Sequence, residues 1–375
     1  MAVASVSGIS PSDWDRMVPA DDPFMLHAFL LGLEKTKCVS AMTGWRPRHL
    51  LAYENDVLMG AMPLYEKHHS YGEFVFDFEW AQAAEEAELP YYPKLVSAVP
   101  FTPVTGARLL VAPEADSERV RGRLLAALDA LLSEGNYSSA HVLFPNDADM
   151  AFLERAGYIP RLGFQFHWTR DPGWHTFEDF QRSMRASVRK QVKKERKIAH
   201  SQGLTFKMLA KGEITEAHRE AFWHCYTSTI EKHHSHAYLN RAFVRHLFDH
   251  FSQHLLLAVA KRGDRVVACA LFLYRGTGLY GRYWGALEPI PMLHFELCYY
   301  QPITWALEHG ITRFEAGAQG MQKLKRGLLP RACHSAHRFS HEGFGRAIRA
   351  HLKAERRHIL AHMAHCEAHG PFHRA

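Results

Sequence analysis

At 375 residues the chain is long for one hydrophobic core and comfortable for two, and its 47% hydrophobic and 22% charged content is ordinary for a soluble globular protein. No unbroken apolar run is long enough to cross a bilayer, and the N-terminus MAVASVSGISPSDWDRM lacks the basic start and apolar core of a secretory signal, so a cytoplasmic protein is expected. A net charge of +6 favours a polyanionic or phosphate-bearing partner, while the six scattered cysteines, with no CxxC pair, read as small buried hydrophobes.

In chain order, Asp21, Asp22 and Pro23 look like the cap and first turn of a helix reaching Leu33. A strand pair follows over 48–67, turning at Glu54-Asn55-Asp56. The stretch after Ser70 interleaves aromatics with Glu73, Asp77 and Glu79 and is read as an aromatic strand. Pro100, Pro103 and Gly106 pin a rigid loop, either a pocket wall or a structural turn. A helix over 116–134, a strand over 140–144, a helix over 147–156 and a strand over 164–168 complete the first half.

A basic stretch comes next. Arg182, Arg185, Arg189, Lys193 and Arg196 fall at i, i+3, i+7, i+11 and i+14, one continuous stripe on a helix spanning about 178–200. Like charges one turn apart repel unless an anion neutralises them, so Arg185, Arg189 and Lys193 are candidate phosphate contacts; a solvated face is the alternative.

Beyond it the first pattern returns. HLLLAVAKRGDRVVACALFLY echoes RHLLAYENDVLMGAMPLY, and LYGRYWGA echoes the aromatic stretch after Ser70. The order of elements predicts a duplicated α/β protein with mixed sheets flanked by helices. Its expected domains are 1–172, 173–340 and a His-rich helix over 341–375. On that helix His351, His358, His362, His365 and His369 share a stripe, but no carboxylate or cysteine stands at ideal spacing and no metal is expected. The HHSH run at 233–236 is read the same way.

The stretch 279–330 organises the rest, as strand, helix, strand and basic loop. In the strand 279–286 Tyr280, Arg282 and Trp284 are expected on one face, and Gly281, Tyr283 and Gly285 on the other. The helix over 292–308 is apolar on two faces, hence buried, and Pro302 should interrupt it because Cys298 loses its donor. Glu296 lies among its apolar residues with no cation one turn away. A second strand, 311–317, leads into a Gly-punctuated loop bearing Gln319, Gln322, Lys323, Lys325 and Arg326. Parallel strands joined by a helix place a site at their carboxyl ends.

The duplicated halves, the basic helix closing at Gly203-Leu204, and the YWG…F-E…EAGAQG…K-x-K-x-G block resemble the FemAB-like branch of the GNAT acetyltransferase-like superfamily. FLERAGY, from Phe152 to Tyr158, resembles the closing helix and turn of a GNAT domain. The resemblance implies tandem GNAT-like (acyl-CoA N-acyltransferase) folds and acyl or aminoacyl transfer to an amine, with acyl-CoA or aminoacyl-tRNA as candidate donors. One departure bears on the donor: where GNAT domains hold pyrophosphate on a Gly-rich loop, this chain has ALEPIPML.

Such transfer needs a free amine, a polarised carbonyl and a route for the proton. Glu315 is the first candidate base, the alternative being an ion pair with Arg313; Glu296 is the second, the alternative being a buried structural carboxylate. Lys323, Lys325 and Arg326 are placed to meet phosphates, with Gln319 in the same loop, and Arg282, Tyr283, Trp284 and Tyr299 could line the acceptor site. The expected function is transfer of an acyl or aminoacyl group onto an amine of a phosphate-bearing, small-molecule or nucleotide-linked acceptor, such as a cell-wall precursor, with tRNA as a candidate partner. The alternatives are an acyl-CoA-dependent N-acyltransferase and a non-catalytic binding module for polyanions or glycan-nucleotides.

Overall fold

The computed structural model describes residues 1–232, 236–318 and 320–373. The elements are mixed α/β, as duplication predicts, and end in a long helix, Glu342–Ala368. The contacts group into two compact units that interleave along the sequence. The first comprises Met1–Pro19, Phe24–Phe164 and Ala332–His362; the second comprises Ala20–Pro23, Gln165–Arg331 and the residues from Met363 onward. Sequential domains of 1–172, 173–340 and 341–375 are therefore not how the chain packs. The physical reason is a strand: residues Ser335 to Phe339 pair antiparallel with Ser139–Leu143, so the first unit takes sheet from late in the chain.

In the first unit Asp116 accepts from the Arg119 amide at 3.1 Å and starts the helix Ser117–Ser133. Val120, Leu124, Leu128 and Leu132, spaced by four, bury one face of it against Leu50, Met62, Leu95 and Val142. That helix links Lys94–Ser97 to Ser139–Leu143, which run parallel. A separate four-stranded sheet carries the hairpin His49–Glu54 and Val57–Met62. Asn55 and Asp56, at φ 49° and 62°, make its left-handed turn.

The stretch after Ser70 is not a strand. It is a loop running into the helix Phe78–Glu86. The cause is Lys94, fully buried, whose ammonium donates to Ser70 at 2.8 Å, Glu73 at 2.9 Å and Asp77 at 2.5 Å. Turning both carboxylates inward leaves Tyr71, Phe76 and Phe78 exposed.

In the second unit the strands run Thr205–Leu209, Leu255–Arg262, Arg265–Arg275, Gly278–Ala286, Arg313–Glu315, then residues 165–169. All neighbours are antiparallel except Gly278–Ala286 with Arg313–Glu315, the pair joined by the expected helix. That helix is Leu293–Phe295, a π-helical turn at Glu296–Tyr300, and Gln301–Glu308. The wide turn falls where Pro302 leaves the Cys298 carbonyl without its donor. One basic helix over 178–200 was expected, yet Phe177–Arg182 and Ala186–His200 are distinct. Arg185, at ψ 144°, breaks the run.

Candidate functional site

Parallel pairing ends early. Gly278, Leu279 and Tyr280 pair with Arg313, Phe314 and Glu315; the first strand then continues alone on that side to Ala286. A cavity of about 170 Å³ opens there, lined among others by Arg282, Trp284, His294, Cys298, Tyr299 and Gly317. The four expected acceptor-site residues, Arg282, Tyr283, Trp284 and Tyr299, are thus brought together. In the first unit the parallel pair Lys94–Ser97 and Ser139–Leu143 is followed instead by a bridge between Gly106 and Pro145. Buried Arg108 fills that end, its guanidinium donating to the carbonyls of Val104, Ala107 and Leu143. The Pro-pinned loop is a plug.

The strand's expected alternation is broken by a bulge. Leu271 pairs with Tyr283 but Phe272 pairs with Gly281, so Arg282 is the extra residue. Tyr280 and Trp284 consequently face opposite sides of the sheet. On the Tyr280 side lie Tyr283, whose ring packs on Tyr226, and Gly285, where an added Cβ would stand 1.8 Å from the Cys225 carbonyl oxygen. On the Trp284 side His294 meets the indole, ring centroids 5.2 Å apart.

Register places Tyr280, Glu315 and His167 in one cross-strand row. Glu315 is 2% exposed, and neither carboxylate oxygen has a hydrogen bond among the described residues. Arg313 Nε stands 3.4 Å away and His167 Nε2 3.8 Å away. The guanidinium of Arg313 is engaged elsewhere, donating to Asp21 at 2.8 Å and to the Tyr280 hydroxyl at 2.7 Å. Burial, opposed by Arg313, raises the Glu315 pKa to about 7; burial and the charge of Arg313 lower His167 to about 3. A neutral imidazole thus faces a carboxyl poised to exchange its proton near neutrality. His167 was not foreseen, because only the strand register brings it to Glu315.

Glu296 is fully buried and fully engaged. Arg196 donates to it from Nε at 3.2 Å and Nη2 at 3.0 Å, Gln301 donates at 2.8 Å, and His200 lies at 3.0 Å. Its cation comes from the basic helix, not from its own. The stripe is spent largely inside the protein. Arg185 donates to the carbonyls of Phe372 at 2.9 Å and Ala368 at 3.2 Å, and Arg189 to those of Arg182 and Met184. Lys193 is exposed. In the loop Met321–Arg326, buried Lys323 donates to the Gly317 carbonyl at 2.6 Å, and burial lowers its pKa to about 8. Arg326 donates to Glu195 at 2.7 Å and lies over Phe295, whereas Lys325 is exposed. Gln319, His233 and His234 lie outside the described residues.

A family model named FemAB-like, for peptidoglycan biosynthesis and recognition, matches residues 5–374. The chain belongs to the FemAB-like family. No curated protein matches it. Among solved structures, this FemAB-like chain is similar to the C-terminal domain (DUF2156) of a putative lysylphosphatidylglycerol synthetase from Agrobacterium fabrum, at 9% identity and TM-score 0.55, covering 91% of this chain and 96% of that one. FemX aligns at 11% identity and TM-score 0.54, covering 91% and 98%. L-PGS from Bacillus licheniformis aligns at 13% identity and TM-score 0.51, covering 83% and 90%. The fold is shared with these three structures. Among the described residues no helix is long and apolar enough to cross a membrane.

Proposed function

We propose that this FemAB-like protein transfers an acyl or aminoacyl group onto an amine of a phosphate-bearing acceptor of the cell-wall precursor class, at the parted strands of the second unit. The observation that carries this reading is Glu315: a buried carboxyl without a hydrogen bond among the described residues, near pKa 7, at the end of the strand where the parallel pair parts. In the reaction the acceptor nitrogen forms a C–N bond as the donor's acyl C–O or C–S bond breaks. The proton leaving nitrogen must reach the departing oxygen or sulfur, and Glu315 can carry it. Arg282, at the bulge and close enough for its charge to act on Glu315, would hold the acceptor at the strand end, with Trp284 and Tyr299 lining the cavity on the sheet's other face and exposed Lys325 meeting its phosphate.

An aminoacyl ester is favoured over acyl-CoA as donor. Residues 287–292 carry Pro289 and Pro291, which have no N–H to offer a pyrophosphate. Cytoplasmic action fits this reading. The test is transfer of labelled amino acid from aminoacyl-tRNA, or of acetyl from acetyl-CoA, to amine-bearing precursors, with mass spectrometry of the protein purified without added ligand. Transfer from neither donor, with no nucleotide or RNA retained, would overturn it.

A further inference from the structure

Asp21 and Asp22 suit a helix cap by sequence, but the helix begins at His27 with Leu26 at its cap, and the two aspartates are used elsewhere. Segment Ala20–Pro23 belongs to the second unit, unlike the residues on either side of it. Its backbone is anchored there. The Tyr280 hydroxyl donates to the Asp21 carbonyl at 2.7 Å, and Arg275 donates to the Asp22 carbonyl at 3.2 Å. Gly276, at φ 53°, comes so close that an added Cβ would stand 3.0 Å from the Ala20 carbonyl oxygen.

So held, Asp21 presents its carboxylate to Arg313. Nη2 of that guanidinium donates to Asp21 Oδ2 at 2.8 Å and to the Tyr280 hydroxyl oxygen at 2.7 Å. A guanidinium is a rigid planar fork, so seating one nitrogen on two acceptors sets where the rest of the plane points. Arg313 and Glu315, two apart on one strand, share a face. Yet Nε stays 3.4 Å from Glu315 Oε1 without a hydrogen bond to it. A direct salt bridge between these neighbours is the stronger pairing their chemistry allows, and Asp21 and Tyr280 divert it.

Other charges face Glu315 as well. Arg282 and Tyr280 do so from one neighbouring strand, His167 from the other, and Asp21 and Asp22 from their segment. Burial raises the carboxyl to about 7; Arg313 opposes that rise, Asp22 and Asp21 add to it, and Arg282 opposes it. Asp21 therefore acts twice, by its own charge and by the arginine it occupies.

We propose that Asp21 is a positioning residue for the transfer: by holding the Arg313 guanidinium it keeps Glu315 from becoming that arginine's salt-bridge partner, and so leaves the carboxyl able to take the acceptor's proton. The proposal rests on the transferase reading with Glu315 as base. It gives the N-terminal segment a task in the second unit's chemistry, although Asp21 itself touches no reacting atom.

The experiment reads Glu315 directly, by ¹³C NMR titration of the full chain labelled at its glutamate carboxyls, the Glu315 resonance being the one lost in Glu315→Gln. Asp21→Asn removes the charge and keeps the size. Its Glu315 midpoint should fall by at least about one pH unit, the effect of an arginine newly paired with a carboxylate. In transfer assays the acidic limb should move down with it, and the plateau should drop because a weaker base takes the proton less well. Asp21→Glu, which keeps the charge, should hold the limb near pH 7. Glu118→Gln, which removes an exposed carboxylate of the first unit, should move neither readout. A merely structural Asp21 would lower the rate at every pH and move neither midpoint. An unmoved Glu315 midpoint in Asp21→Asn overturns the proposal. A midpoint that falls, in a protein whose wild type transfers nothing to any amine, would sink the transferase and leave the diverted arginine. Transfer whose limb ignores the fallen midpoint would sink Glu315 as the base, and with it the part of Asp21 in the reaction.

Discussion

Arg196 and Glu296 meet through two hydrogen bonds, of 3.2 and 3.0 Å, across one hundred residues of chain. Glu296→Ala would leave the guanidinium facing a void, and losing one partner of such a pair costs about 3 kcal/mol. We expect urea unfolding to show that loss, while the folded variant keeps its turnover. A turnover loss without destabilisation would make Glu296 a participant in the chemistry.

Glu315→Gln should behave in the opposite way. Removing the charge but not the shape should lower turnover by roughly 10²- to 10⁴-fold, the share of a missing general base. Because the folded carboxyl holds its proton more tightly than the unfolded one, its contribution to stability is present below about pH 4.5 and lost as pH rises toward 7. Thermal melts at neutral pH should therefore show a variant at least as stable as wild type, and its rate profile should lack the acidic limb near pH 7.

The basic helix divides on charge reversal. Lys193→Glu, on the exposed face, should stay within about 0.5 kcal/mol of wild type. Arg185→Glu should release the segment around Phe372, read as faster proteolytic trimming of the C-terminus. Equal trimming in both variants would contradict the clamp.

At Gly285 the neighbouring helix leaves no room. Since a Cβ would meet the Cys225 carbonyl carbon at 2.2 Å as well as its oxygen, Gly285→Ala must push the helix Glu216–Lys232 from the sheet. We expect a loss of about 3 kcal/mol or more, the upper range of overpacking, seen as a lowered midpoint in urea. A neutral outcome would mean the two elements can separate freely.

In the first unit His141 and His337 share a buried Nδ1–Nδ1 contact of 2.6 Å, each ring also bonded to a serine, Ser139 at 2.7 Å and Ser335 at 2.8 Å. Burial pushes both pKa values well below normal, helped by Lys94 and Arg161. The unfolded chain therefore binds protons first as pH falls below about 6.5, and stability drops with it. Replacing both by Gln should flatten the dependence of melting temperature on pH between 6.5 and 5, whatever it does to the melting temperature itself.

Much of the framework was legible because it rests on local pattern: Asp116 caps where its spacing says, Pro302 interrupts its helix, and Asn55-Asp56 turns its hairpin. What could not be read came from distant contacts. Nothing near Glu296 in sequence announces Arg196, nothing near Glu315 announces His167, and strict alternation hides a bulge that adds one residue at Arg282. The aromatic stretch after Ser70 misled because a lysine over twenty positions later dictates which way its carboxylates point.

The interleaving has a consequence during synthesis. Ser139–Leu143 emerges from the ribosome almost two hundred residues before its partner around Ser335, a wait of about 10–40 s at typical elongation rates. Through that interval its open edge offers unpaired amides and carbonyls to any passing strand. A nascent chain stalled midway, or a gene fragment ending near residue 172, inherits that exposed edge permanently.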